Sequence, residues 1–147
     1  MQSLSDETIS YNQIEMLIEH IENRDKEKIM AMFSKHALSL ALNFDESIEY
    51  LFSTYEGNAQ IIEIDGGIIV SESKEYGKVN KDVKSWYNIK TSENDYSFFF
   101  IDCIKDTTNS DNIGLYSLRV VKSEDKEKYF TYWQNMVVPG IYYPKYE

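Results

Sequence analysis

DESIEYLFSTYEGNAQIIEI, residues 45–64, changes period in its middle, and that change decides the fold class. Ile48, Leu51, Phe52 and Tyr55 recur at the spacing of a helix with one buried stripe, whereas beyond Gly57 the apolar residues alternate as they do along a strand. Asp45 is placed to cap that helix, Glu46 and Glu49 sit in its first turn where the dipole favours anions, and Gly57 is placed to end it with a positive φ.

Upstream, the helical period continues. Ser5 as N-cap followed by Tyr11, Ile14, Leu17, Ile18 and Ile21 predicts a helix ending near Asn23, with Glu15, Glu19 and Glu22 on its polar face. Asp25 can cap a second helix whose stripe is Ile29, Met32, Phe33, Ala37 and Leu40, with Lys26 and Lys28 outside. Downstream, strands are predicted at 60–64 and 68–71 around a tight turn at Asp65-Gly66-Gly67, and at 83–91, where Val83, Ser85, Tyr87 and Ile89 share one face. The stretch 96–104 is apolar on both faces and reads as a central strand; 115–121 and 129–138 follow it. Helices over about 5–57 and strands over about 60–138 predict one α+β domain over 1–147, the helices packed on a curved antiparallel sheet of four to six strands.

Charge is as unevenly distributed as period. Of the net charge of −10, residues 1–77 carry fifteen Asp and Glu against five Lys and Arg, and residues 78–147 balance ten against ten. From His36 to Ser73 there is no Lys or Arg. Such a field repels nucleic acid and anionic lipid and favours a basic protein surface. The single cysteine, Cys103, excludes an intramolecular disulfide, and no apolar run is long enough to span a membrane. The first ten residues lack the basic and apolar regions of a signal peptide, so the expected location is the cytoplasm if Met1 is the native start, or the cell surface if the chain is a mature segment.

Six stretches carry a resemblance: RDKEKIMAMFS (24–34), DESIEYLFSTYEG (45–57), YGK (76–78), YNIKTSENDYSFFF (87–100), DTTNSDNIGLYSLRVV (106–121) and GIYYP (140–144). Together they resemble an uncharacterised family of small, often lipoprotein-borne domains from clostridia and related Firmicutes, over about residues 8–144. That family is similar to the nuclear transport factor 2-like, or cystatin-like, superfamily. The resemblance implies a sheet wrapped around helices as a cone with a pocket at its mouth, and it carries over no catalytic residue. Family members commonly begin with a lipoprotein signal and a lipid-bearing cysteine, neither of which this chain shows.

Few side chains point to chemistry. His20 and His36 fall on separate predicted helices outside any HExxH pattern, and Cys103 alternates in phase with Phe99 and Ile101 as a buried, inert thiol. Asp102 falls in phase with Phe98 and Phe100, so its carboxylate must be paired, placed at a pocket mouth, or raised in pKa. If the following hairpin folds about Asn109, Arg119 lies opposite Phe100 and diagonal to Asp102, within reach of an ion pair. The cone pocket is then expected to be lined by Trp86, Phe98, Phe100, Asp102, Tyr116 and Arg119. The loop 106–114 lacks the glycine and closing Glu of a calcium loop, and no phosphate-binding or nucleophile motif occurs. No catalytic, cofactor or metal residue is assigned.

The leading expectation is therefore a non-catalytic binding domain, docking a basic protein through Asp45, Glu46, Glu49, Glu56, Glu63 and Asp65, with an immunity protein against a cognate toxin as the concrete case. The first alternative is an extracytoplasmic lipoprotein-type ligand-binding or scaffold domain. The second is an isomerase- or dehydratase-like enzyme with Asp102 as a pocket carboxylate. The aromatic tail 141–146 can cap the core or form a homodimer contact.

Overall fold

The Ser5 hydroxyl accepts a hydrogen bond from the Thr8 amide at 3.1 Å, and from that cap α1 (Asp6–Glu22) runs with Ile14, Leu17, Ile18 and Ile21 buried. The computed structural model describes residues 4–129 and 138–144. Asp25 caps α2 (Lys26–Met32) through the Lys28 amide, as the sequence predicts, but the helix does not continue to Leu40. Phe33 turns extended and bridges to Leu115, the Ser34 amide donates to the Leu115 carbonyl at 2.9 Å, and the Ser34 hydroxyl caps a new helix, α3 (Lys35–Leu40). A side chain able to cap and a neighbouring strand to receive the backbone together outweigh a continuous apolar stripe.

Asn43 caps α4 (Phe44–Thr54) in place of Asp45: its Oδ1 accepts from the Glu46 amide at 3.1 Å and its Nδ2 donates to the Glu46 carboxylate. The helix ends at Tyr55, and Gly57, with φ +85°, lies in the connection beyond. Glu22, expected on a solvated face, instead holds this connection to α1. Its Oε2 accepts from the Tyr55 hydroxyl at 2.6 Å and from the Ala59 amide at 2.7 Å.

Six strands follow: β1 (Ala59–Ile64), β2 (Ile69–Glu75), β3 (Lys78–Thr91), β4 (Asp95–Asp106), β5 (Gly114–Lys122) and β6 (Gly140–Ile141). The sheet order is β1-β3-β4-β5-β6, antiparallel throughout except for the parallel β5–β6 pair. β1 and β2 do not form the hairpin expected around Asp65-Gly66-Gly67. Both pair with β3, end to end along one edge: β1 with Tyr87–Thr91 and β2 with residues 78–84. The hairpin turn lies one strand later, at Tyr76 (φ +51°) and Gly77 (φ +76°), the pair of positive angles that a two-residue turn between twisted strands requires. After β5, a short 3-10 turn leads into α5 (Lys126–Tyr129), and the rest of the strand expected at 129–138 lies outside the described residues up to Val138.

The N-terminal helices cover one face of the sheet. α1 lies against β3, and α3 and α4 lie against β5 and β6. Between the layers are Ile14, Leu17, Ile21, Ile29, Ile48, Leu51, Tyr55, Tyr87, Ile89, Phe98, Phe100, Leu115 and Leu118, each at most 1 % exposed. Burial of one such side chain contributes roughly 1.5–3 kcal/mol, so this layer dominates the stability of the fold. As expected, β4 is buried on both faces: Phe98 and Phe100 face the helices, while Phe99 and Ile101 pack with Trp86 on the other side. Helices packed on one face of a six-stranded, mostly antiparallel sheet make this an α+β fold.

Candidate functional site

α1 stops short of covering the β1–β2 edge, and a groove of about 690 Å³ runs between them. Ile62 and Ile64 share the helix-facing side of β1 with Ile68 of the following connection; opposite them stand Glu7, Thr8 and Tyr11 of α1. Tyr87 forms part of the lining, its hydroxyl within 2.7 Å of the buried Ser10 hydroxyl, which also meets Ser85. Tyr11 and Ile64 remain 40 % and 42 % exposed, and Glu7 is the charged side chain among the groove residues. Sequence reading assigned Tyr11 to the buried stripe of α1, and the structure buries Ser10 there instead. A signal for the groove was present in Ile61, Ile62, Ile64, Ile68 and Ile69, more isoleucine than one short edge segment can bury.

Smaller clefts lie elsewhere among the described residues. One, about 380 Å³, sits among His36 of α3, Asn80, Asp82, Lys84, Ile101, Cys103, Asn112 and Tyr116. The His36 and Tyr116 rings lie 6.1 Å apart. Cys103 beside them is buried, and desolvation with the neighbouring Asp82 pushes its thiol up to about 12, so it is no nucleophile at neutral pH. Another, about 440 Å³, lies between α2, α3 and the 110–113 loop. Among the described residues no group of three His, Cys, Asp or Glu side chains converges as a metal site would require, and no helix is long and apolar enough to cross a membrane.

The residues expected to line one cone pocket are not brought together. Phe98 and Phe100 belong to the core under the helices, whereas Trp86 packs on Phe99 on the opposite face, ring centroids 5.0 Å apart. Tyr116 lines the cleft it shares with His36 and Cys103. Arg119 lies opposite Phe99, not Phe100, and its guanidinium carbon stands 3.8 Å from the centroid of the Tyr142 ring. The predicted Asp102–Arg119 ion pair therefore does not exist. A hairpin register one residue off transfers a side chain to the other face, and the bulge between Ile101 and Asp102 adds a second offset.

Asp102 itself is 5 % exposed, between Val83 and Leu115, and lines none of these three clefts. Among the described residues none donates a hydrogen bond to its carboxylate. Desolvation, with a smaller contribution from Asp82, raises its pKa to about 6. Asp106, at the end of the same strand, is its opposite. It accepts from Thr108, Asn109, Asn112 and Asn80 at 2.9–3.1 Å, and these donors hold it well below the usual carboxylate range. The oxygens of loop 106–114 thus serve the turn.

The six expected acidic contacts are likewise divided. Asp45, Glu46 and Glu49 lie on α4, which packs toward β5 and β6; Glu63 lies on β1 and Asp65 just beyond it, at the far edge of the sheet. Asp45 pairs with Lys26 at 2.7 Å and Asp65 pairs with Lys126. Glu49, Glu56 and Glu63 are exposed.

A family model described as "Domain of unknown function (DUF5104)" matches residues 16–123, from the middle of α1 to the end of β5. The match covers well over half of the chain, and the chain belongs to that family. A search of curated proteins gave no match.

Proposed function

We propose, with membership of the DUF5104 family as the premise, that the chain is a non-catalytic binding domain for a protein partner with a basic surface. The groove beside α1 carries this reading. Its walls are apolar at Tyr11, Ile62, Ile64 and Ile68, its charged member is Glu7, and it belongs to the acidic half of a chain of net charge −10. A partner segment alternating cations with apolar residues buries the latter on the isoleucines and sets the former toward Glu7 and its surroundings. The acids at Asp45, Glu46, Glu49, Glu56, Glu63 and Asp65 act at longer range, speeding encounter without making one contact surface. The concrete case is an immunity protein that meets a basic toxin.

The test uses two synthetic peptides, one alternating Lys and Leu, the other Glu and Leu, titrated into isotope-labelled protein. Only the first is expected to shift the resonances of Thr8, Tyr11, Ile62 and Ile64, with an affinity that falls as salt rises past about 0.1 M. Equal binding of both peptides sinks the electrostatic part, and shifts confined to α4 move the site there.

A second reading draws on the size of the groove, which lies within the range of small-molecule sites. In it the chain is an extracytoplasmic, lipoprotein-type domain of the nuclear transport factor 2-like kind, holding an apolar ligand in this groove. A rise in melting temperature with small apolar compounds, abolished by Ile64→Asp, supports it. The isomerase-like alternative would need a pocket at Asp102, which is 5 % exposed and lines none of the three clefts described.

A further inference from the structure

β2 is an edge strand with one partner. Its far side meets no strand among the described residues, and all seven of its residues are exposed. It carries no proline, its ladder with β3 has no bulge, and Ile69 and Val70 stand 49 % and 39 % exposed. Tyr76, in the turn that follows, is 99 % exposed and holds a positive φ. A long, regular, half-apolar edge of this kind is a template for another strand.

We propose that this edge pairs with the same edge of a second copy, antiparallel and two-fold about Ser73, joining two sheets into one. The sequence IVSESKEYG (69–77) selects both occupant and register. With Ser73 facing its own copy, Glu72 of each chain faces Lys74 of the other, and Val70 faces Tyr76. These pairs fall on one side of the strand. Val70 lies opposite the buried Val83 and Glu72 opposite Lys81, which reaches Asp6 of α1, so Val70, Glu72 and Lys74 share the helix-facing side. Within one chain Lys74 already comes within 3.3 Å of Glu72, so its ammonium reaches carboxylates on this face. Registers centred on Glu72 or Lys74 set like charges against each other, and a slip of one residue loses the match entirely.

The backbone agrees with this register. Glu75 and Lys78 close the two-residue turn, and pairs that close such turns exchange their hydrogen bonds. Counting back by alternation, Val70, Glu72 and Lys74 direct their N–H and C=O groups away from β3. In the Ser73-centred register those free groups of Glu72 meet those of Lys74 in the second copy, as an antiparallel ladder requires. The charges that protect the edge from indiscriminate pairing thus match one partner, itself.

A contact made by one seven-residue strand from each copy is small for a specific interface, so self-association with a dissociation constant of about micromolar strength is expected by sedimentation equilibrium. Lys74→Glu should weaken it about tenfold, and Glu72→Lys combined with Lys74→Glu should restore it. Ser73→Cys should cross-link to a dimer on mild oxidation, and Ser71→Cys should not, because residue 71 faces Glu75. Wild-type protein that stays monomeric at millimolar concentration overturns the proposal. So does a dimer indifferent to Lys74→Glu, a folded double variant that stays monomeric, or equal cross-linking at 71 and 73.

Discussion

Asp102 and Asp106 lie four residues apart at the end of β4 and are driven in opposite directions by their surroundings. Burial raises Asp102 from 3.8 to about 6, which favours its protonated form in the folded state. Its contribution to stability is then complete below about pH 4 and is lost as pH rises through about 6, a difference of roughly 3 kcal/mol. Urea unfolding of wild type and Asp102→Asn between pH 4 and pH 8 should show the variant gaining relative stability across that window. A constant difference would mean that Asp102 titrates normally. Asp106, held low by its donors, has the reverse sign: its contribution is present at neutral pH and is lost only in strong acid. The sequence placed Asp102 correctly in phase with Phe98 and Phe100 and named desolvation as one outcome. What it could not supply was Arg119's position, because one residue of register decides the face.

At the scale of elements, several signals made by a side chain and its own backbone were legible, although Asn43 caps α4 where Asp45 was expected. Ser5 and Asp25 cap α1 and α2, and the alternating faces of β3 follow the sequence pattern. Elements set by distant partners were not legible. The split of α2 from α3 depends on Leu115, eighty residues further on, and β1 and β2 separate because β3 is fourteen residues long and offers each a place. Gly114 shows how tight the first of these junctions is. A Cβ there would meet the Ser34 amide nitrogen at 2.8 Å and the Met32 carbonyl oxygen at 3.0 Å, on a backbone at φ +125°. Gly114→Ala should therefore cost at least about 2 kcal/mol, since neither backbone atom can move without opening the α2–α3 junction. Gly66→Ala, where nothing stands within 4 Å, meets only the penalty of its positive φ and should cost about half as much. Equal losses in denaturant unfolding would remove the junction as the explanation.

Across the whole molecule, the sheet is wider than the helical layer that covers it. α1 lies against β3, α3 and α4 against β5 and β6, and among the described residues Ile61 and Ile64 of β1 and Ile69 and Val70 of β2 remain exposed. Sequence periodicity showed that both layers exist but carried no information on how far one overhangs the other, so the surplus of isoleucine over residues 61–69 signalled exposed apolar surface without placing it beside α1. The overhang separates stability from binding in a testable way. Ile64 is 42 % exposed, so Ile64→Ser forfeits only part of a side chain's burial and should leave the unfolding midpoint within about 1 kcal/mol of wild type. The same change removes a wall of the groove, and binding of the Lys/Leu peptide should fall at least about tenfold. Glu49→Gln on α4 should do neither, beyond a small loss in association rate at low salt. Measured side by side by unfolding and by titration, a variant that loses stability and binding together would place Ile64 in the core and deny the groove its role. Loss of binding alone would identify the overhang as a surface kept open for a partner.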